Sequence, residues 1–325
     1  MPDILISENI QGPAVEALSA RFDVTVLPDL WRSPAELLKH IGDYRALIVR
    51  NQTQVTAKLL NVGTNLRVVG RAGVGLDNVD VVAATLAGIL VTSTPDQNAI
   101  SVAELAMGLI LSLMRKIGSA VSDTKNGGWN RLQFLGTEIY GKTIGIVGAG
   151  KIGYLTARRA QSFGMKVLAY DPFISRDSIL LSELNAELVG LDELLSRADV
   201  VSCHLPATPE TTGFFNADLF SKMRDTAVFI NTSRGEVVVE GDLCKALQSG
   251  VIAGAALDVR AKEPPQLGEL ERIQNLILTP HIAAFTREAQ DRVTRAICED
   301  VSRVLDGGRA QNAVNHPSVS VPGQN

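Results

Sequence analysis

The sequence predicts an α/β protein made of two doubly wound parallel sheets, on three observations. Short apolar runs alternate with helical stretches along most of the chain, the pattern of strands joined by crossover helices. One such unit, residues 142–172, carries glycines in GxGxxG spacing between a strand and a helix. A chain of 325 residues also exceeds what one core usually encloses, so two domains are expected.

In order, strands are predicted over residues 4–7, 24–27, 46–49, 67–70 and 89–92, with helices over 13–21, 34–41, 57–62 and 79–87 between them. Aliphatic and β-branched residues crowd these runs because strands of a parallel sheet are buried on both faces. Residues 101–117 read as one long apolar helix, whose most apolar stretch, 105–114, is too short to cross a bilayer, and 119–138 as a polar loop containing GGWNR. The glycine unit follows, with a strand over 143–147, a helix over 154–163 stopped by Gly164, and a strand over 166–170 ended by Asp171. Strands over 200–205, 227–232, 253–259 and 276–278 bring this second sheet to six. The last helix, 287–305, runs into Gly307-Gly308 and a polar tail. A helix placed there can return to the first domain. The boundary is therefore expected to be discontinuous, with 1–98 and 287–325 in one domain, 99–286 in the other, and two long helices crossing a cleft.

A net charge of −4 gives no footprint for nucleic acid or an anionic membrane. Cys203, Cys244 and Cys298 are odd in number and in no metal-ligand spacing, which fits reduced thiols in a cytoplasmic protein and no metal. The start, MPDILISENI, has no basic n-region and no signal peptide is expected.

The glycine unit has the form of a dinucleotide fingerprint. Gly148 allows the tight turn, Gly150 lets backbone approach a pyrophosphate, and Gly153 lets helix and strand pack. The helix N-terminus faces the phosphates, and Asp171 accepts from the ribose hydroxyls, which favours NAD over NADP. The next arginine, Arg176, is five residues on. In the first domain, Arg50 and the loop Arg71-Ala72-Gly73-Val74-Gly75 stand at carboxyl ends of strands, where open α/β sheets bind ligands.

Three polar groups follow successive strands of the second sheet: Arg234, Glu263 and His281. Strand ends of one parallel sheet converge on one rim, so groups far apart in sequence can meet there. Hydride transfer at a carbonyl carbon needs a proton moved at oxygen, and histidine is the side chain suited to it near neutral pH. A carboxylate beside it raises its pKa. Arginine offers a fixed fork for a substrate carboxylate. Of the other histidines, His40 falls on a polar helix face, His204 on a central strand and His316 in the tail.

The segments GRAGVGLDN, the glycine fingerprint, SRGEVV, DVxxxEP and TPHIAA, in this order, resemble the D-2-hydroxyacid dehydrogenases. VRNQTQV, NGGWNR and SFGMKVLAYDPFIS place the resemblance nearest the 3-phosphoglycerate dehydrogenase branch, over roughly residues 1–315. The resemblance implies a flavodoxin-like substrate domain and a Rossmann NAD-binding domain with a cleft between them. It implies Arg234, Glu263 and His281 as the catalytic set, with His281 the proton donor. Backbone N–H groups of Val74 and Gly75 would hold the substrate carboxylate, and Arg50 and Arg71 would reach a substrate phosphate. Lys151 and Ile152 would lie on the pyrophosphate, and Leu205, Thr232 and Asp258 on the nucleoside and nicotinamide. Val74, Pro206, Thr211, Ser233, Ala283 and Ala284 complete the implied cofactor contacts, with Arg234 and His281. A homodimer paired through the nucleotide-binding domains is implied too. The chain departs from the family pattern at Arg260, where an aromatic residue is usual, which predicts a changed pocket. It stops after the catalytic core, so serine feedback of the kind exerted through a regulatory domain is not expected. Hydroxypyruvate and glyoxylate are the alternative substrates, and an NAD(H)-sensing corepressor is the alternative of another class. A formate dehydrogenase of this fold lacks the acid partner of its histidine, and Glu263 argues against one.

Overall fold

The computed structural model describes residues 2–175 and 182–317, and the chain divides into two compact units. Met1–Asn98 with Arg287–Asn325 form one, and Ala99–Thr286 the other.

The first unit is a five-stranded parallel sheet: β1 (Ile4–Ile6), β2 (Val24–Val26), β3 (Ala46–Val49), β4 (Val68–Arg71) and β5 (Leu90–Thr92). Their spatial order is β2-β1-β3-β4-β5, the flavodoxin-like arrangement with its direction reversing beside β1. Alternation along each strand sends successive side chains to opposite faces. Ile4, Ile6, Ile48 and Val68 meet Val15, Leu18, Ile297 and Val301 from helices Pro13–Ser19 and Arg287–Leu305. Leu5, Leu47 and Val69 meet Leu37, Leu59 and Ala84 from helices Pro34–His40, Ala57–Val62 and Val81–Leu86. Gly70 is where the final helix comes closest. A Cβ there would stand 2.8 Å from Val301 Cγ2 and 2.9 Å from Ile297 Cγ1.

The polar tail is not loose over residues 311–315. Asp300, fully buried, accepts from Gln311 N at 2.8 Å, Asn312 N at 3.0 Å and Asn312 Nδ2 at 2.9 Å. Beyond that anchor, Ala313 bridges Thr92 antiparallel, and Asn315 Oδ1 accepts from Val91 N at 2.7 Å. The tail so covers the open edge of β5.

The second unit is a seven-stranded parallel sheet, not the six strands expected. It comprises β6 (Thr143–Val147), β7 (Lys166–Tyr170), β8 (Glu187–Leu188), β9 (Val200–Cys203), β10 (Val228–Asn231), β11 (Gly254–Leu257) and β12 (Leu276–Leu278). The order is β12-β11-β10-β9-β6-β7-β8, with the direction switching between β6 and β9. The unforeseen strand, β8, is two residues at the edge, too short to carry a period. Met107, Ile110 and Ala157 pack with Ile144, Ile146 and Ile230 on one face, and Phe215, Phe220 and Phe229 with Leu243 on the other.

Two further expectations are corrected. The long apolar helix is Ala99–Met114, and the chain turns at Lys116 (φ 53°) into a second helix, Ile117–Lys125. The predicted loop 119–138 thus holds most of that helix and a 3₁₀ turn, Arg131–Phe134. Helix Ile117–Lys125 buries no side chain, so it has no apolar stripe to read. The fingerprint helix begins at Lys151, directly after Gly150, three residues ahead of the expected start. Among the described residues no helix is long and apolar enough to cross a membrane.

Removing the Asp300 carboxylate leaves three part-buried donors without their acceptor, each worth roughly 1 kcal/mol. Asp300→Ala should therefore lower stability by about 3 kcal/mol in chemical denaturation. It should also speed amide exchange at Val91 and Val314 more than at Leu5. Unchanged exchange at Val91 would mean that the tail does not protect this edge.

Candidate active site

The register of the second sheet sets its rim. Asn231 lies level with Cys203 and with Leu257, and Leu257 with Leu278, so the loops leaving β9 to β12 emerge along one edge. Arg234, Glu263 and His281 stand in three of these loops.

Two of these loops are braced by a polar side chain buried at a strand end. Asn231 is fully buried; its Oδ1 accepts from Ser233 N at 2.9 Å and Ser233 Oγ at 2.7 Å, and its Nδ2 donates to the Arg234 carbonyl at 2.8 Å. Asp258 follows β11 and is 1% exposed. Its Oδ1 accepts from Thr279 Oγ1 at 2.6 Å and Ile282 N at 2.9 Å, and its Oδ2 from Ala283 N at 2.8 Å. The His281 amide donates to the Asp258 carbonyl at 2.8 Å. His281 itself is held in the left-handed region, φ 53°, uncommon for a residue with a side chain. The resemblance implies Asp258 as a cofactor contact, and its visible work is to set the histidine loop. Gly235 joins the arginine and glutamate loops, because a Cβ there would sit 1.9 Å from the Arg260 carbonyl carbon.

So held, His281 Nδ1 and Glu263 Oε2 stand 2.7 Å apart, with 43% and 36% of their side chains exposed. The hydrogen bond to Glu263 raises the His281 pKa above the usual imidazole value; burial opposes this, the charges of Glu263 and Asp258 add to it, and Arg234 subtracts. For Glu263, burial works against ionisation, but the hydrogen bonds from His281 and from Arg260 N outweigh it and hold the carboxyl low. The pairing thus favours the charged form of the ring and engages its Nδ1. His204 is different. Burial pushes its pKa down to about 4, and its Nε2 lies 3.0 Å from Ser202 Oγ, a neutral ring beside its own strand. His40 and His316 are exposed, away from this rim's loops in sequence.

The fingerprint residues fit a dinucleotide. Gly148 has φ 92°, and a Cβ there would meet the His204 backbone at 3.0 Å. At Gly153 a Cβ would lie 2.2 Å from the Gly148 carbonyl. Gly150, by contrast, has nothing within 4 Å of where its Cβ would be, and it supplies no side-chain cap to helix Lys151–Ser162. The first amides of that helix, at Lys151 and Ile152, are open to an anion. Asp171 Oδ2 accepts from Ala149 N at 2.9 Å and Oδ1 from Phe173 N at 2.9 Å, which fixes the carboxylate against the glycine turn. Arg176 lies outside the described residues. Thr232 is 6% exposed, and its Oγ1 is buried with no hydrogen-bond partner among the described residues. Leu205 is buried and Pro206 exposed. Thr211 Oγ1 accepts from Thr208 N at 2.8 Å and donates to the Pro206 carbonyl at 2.5 Å, closing that loop on itself. Ser233, Ala283 and Ala284 are carried in the braced loops above.

In the first unit the rim is braced by residues that sequence reading missed. Glu8, 3% exposed, accepts four backbone amides: Arg50 N at 2.8 Å, Thr53 N at 3.0 Å, Gln52 N at 3.2 Å and Asn51 N at 3.3 Å. Asn78 Nδ2 donates to the carbonyls of Thr53 at 2.7 Å and Arg50 at 3.2 Å, tying this loop to the one that carries Val74 and Gly75. Burial lowers the Arg50 pKa, against the charge of Glu8, and its Nε has no hydrogen-bond partner among the described residues. The Arg71 guanidinium lies over Gly73, where a Cβ would overlap it. A glutamate two residues beyond a first strand reads as surface charge, and only the fold shows it filled with amides.

Arg260 does not behave as a substitute for an aromatic side chain. Its Nε and Nη2 meet the two oxygens of Glu240 at 3.0 and 3.1 Å, and its Nη1 meets Glu271 at 2.6 Å.

Residues 107–283 match the family described as D-isomer specific 2-hydroxyacid dehydrogenase, NAD binding domain. Over 320 residues the chain is 43% identical to a D-3-phosphoglycerate dehydrogenase of Synechocystis, covering 98% of this chain and 57% of that protein. The chain thus spans little more than half the length of that relative. A Thermus thermophilus protein of known structure is 33% identical, with TM-score 0.90 over 96% of this chain and 100% of that one. A glyoxylate reductase of Paecilomyes thermophila is 30% identical, with TM-score 0.86 over 97% and 99% of the two chains.

The contact at Gly235 is testable without a substrate. Gly235→Ala must push two loops apart and should cost ~2 kcal/mol in urea unfolding, in the usual range for overpacking. Gly241→Ala, with nothing within 4 Å, should stay within about 0.5 kcal/mol of the parent or gain slightly. Equal midpoints for the two variants would rule out the close approach.

Proposed function

The chain belongs to the D-isomer specific 2-hydroxyacid dehydrogenases, and from that premise we propose that it interconverts a D-2-hydroxy acid and its 2-keto acid, with 3-phosphoglycerate as substrate. The observation that carries this is the His281–Glu263 pair, 2.7 Å apart on the rim of a sheet that also holds a dinucleotide fingerprint. NAD, when bound, supplies the hydride acceptor and, reduced, the donor.

The chain's own residues do the rest. The amides of Lys151 and Ile152 hold the pyrophosphate, Asp171 the ribose, and Thr232 the nicotinamide end, where its Oγ1 gains a partner. A second phosphate at the ribose would face the Asp171 charge, which favours NAD. In reduction, His281 gives its Nε2 proton to the keto oxygen as the hydroxyl forms; in oxidation the neutral ring takes that proton back. Glu263 keeps the ring oriented and favours its charged form. Arg234 is assigned to the substrate carboxylate, which its planar fork suits. Leu205, Pro206, Thr211, Ser233, Asp258, Ala283 and Ala284 bound the cofactor site directly or by shaping its loops. Arg50 supports a phosphorylated substrate, since a guanidinium drawn out of water with an unsatisfied Nε gains most from an anion. Arg71 is assigned to the same phosphate.

The working form proposed is a cytoplasmic homodimer. Trp129, Leu132, Leu135 and Tyr140, each at least 78% exposed, offer apolar surface ahead of β6 in the nucleotide-binding unit. A second reading keeps the chemistry and changes the substrate to glyoxylate or hydroxypyruvate, in line with the reductase among the similar structures. Failure to turn over any 2-keto acid while NADH still binds would leave the NAD(H)-sensing corepressor class.

With 3-phosphoglycerate, Arg50→Ala and Arg71→Ala should each lower kcat/KM by roughly 1.5–3 kcal/mol, about 10- to 150-fold, the size of a charged hydrogen bond. Glyoxylate, without a distal anion, should be affected far less. Equal losses on both substrates would remove the phosphate assignment.

Because the His281 pKa is raised, reduction should hold to a pH above the ordinary imidazole value and fall beyond it. Glu263→Gln removes the cause, so that fall should move to lower pH by about one unit. In oxidation the same variant should switch on at lower pH than the parent. His281→Asn should lose roughly 10²- to 10⁴-fold at every pH, with NADH affinity little changed. A pH profile unmoved by Glu263→Gln would separate Glu263 from the proton step.

A further inference from the structure

The backbone of Arg260 is the point where the catalytic loops are fastened together. Its N–H donates to Glu263 Oε1 at 3.0 Å, the oxygen not turned to His281. Its carbonyl group lies against Gly235, one residue beyond Arg234, close enough to exclude a Cβ. What holds this backbone is the residue's own side chain. The guanidinium is 11% exposed and lies between Glu240 and Glu271, whose side chains are 23% and 21% exposed. Glu240 Oε1 also accepts the next amide, Ala261 N, at 2.8 Å. Glu271 Oε2 accepts Gly268 N at 2.7 Å, at the far end of the same loop. The carboxylates come from helix Glu240–Gln248 and from the turn Leu270–Arg272, so the loop is pinned to two separate regions of the unit.

We propose that Arg260 is a positioning residue for the His281–Glu263 pair: clamped by Glu240 and Glu271, it presents its backbone N–H to Glu263 and so fixes the carboxylate that holds the proton-transfer histidine. The partners of its side chain are Glu240 and Glu271, not the histidine. Without the clamp, Glu263 Oε1 loses its amide and the carboxylate is no longer restrained at 2.7 Å from Nδ1. The groups facing His281 are Glu263, Asp258 and Arg234, and the Asp258 carboxylate is held by contacts that do not involve the Arg260 guanidinium. The fault should therefore fall first on the Glu263 contribution, whose carboxylate loses its amide donor. Its catalytic meaning rests on the proton role assigned to His281, but the positioning can be read without any substrate.

The test is an NMR titration of the His281 ring in protein labelled with ¹⁵N-histidine; there are four histidines, and His281→Asn identifies the signal. Arg260→Met should lower the His281 pKa by at least about half a pH unit, toward the value in Glu263→Gln. Arg260→Lys, which keeps a cation between the glutamates without the fork, should recover some of the shift. The high-pH fall of kcat/KM in reduction should move with the titration, with the KM for NADH unchanged. Arg260→Met leaves two half-buried carboxylates facing each other and can fail to fold. A variant that combines it with Glu240→Gln and Glu271→Gln removes all three charges. Once folded, it should show the same fall. A folded variant with a lowered melting temperature and an unmoved His281 pKa would make Arg260 a purely structural residue and overturn the assignment. A moved pKa in a protein that reduces no keto acid would keep the positioning and remove the enzymatic reading instead.

Discussion

A carboxylate buried at the end of a central strand must find donors for its oxygens, and Asp258 finds all three of its recorded donors in the loop that carries His281. That demand shapes the rim. It draws residues 279–283 down onto β11, forces His281 into the left-handed region, and turns its ring to meet Glu263. Asn231 does the same for the neighbouring loop, and Gly235 lets the two lie in contact. The ion-paired groups of the candidate site are half exposed, but those that aim them are buried. Precision at the surface is borrowed from saturated hydrogen bonds beneath it.

The first unit uses the same device with different residues. Glu8, past the end of β1, gathers the four consecutive amides that follow β3, beside the point where the strand order reverses, and Asn78 stitches that loop to the next. The four amides fix that carboxylate beside Arg50, whose Nε has no hydrogen-bond partner among the described residues.

The elements legible in the sequence were those whose chemistry is local. The strand, GxGxxG and helix of the fingerprint are contiguous, and strands buried on both faces announce themselves as aliphatic runs. His281 stood out because the other histidines had plainer places. What stayed hidden was set by partners far along the chain. Helix Ile117–Lys125 buries nothing within its own unit, and β8 is an edge strand two residues long. Glu8, Asn78 and Glu240 are polar residues in unremarked positions whose partners are backbone amides and carbonyls tens of residues away. The Arg260 departure was visible as a substitution, but its two carboxylates were not, because neither lies in a motif.

The first unit is assembled from both ends of the chain, with the whole of the second placed between them. During synthesis, β1 to β5 leave the ribosome with one face ready to be covered by helices Pro34–His40, Ala57–Val62 and Val81–Leu86. The opposite face, including Ile6, Ile48 and Val68, waits for Ile297 and Val301. The edge of β5 waits longer still, for residues 312–315. The second unit has no such delay, since all of its strands are contiguous, and it can close before its predecessor does. Of the two units, the one begun first is thus the one finished last, and until then it exposes an apolar sheet face and an unpaired edge, the two features that invite misassociation during folding.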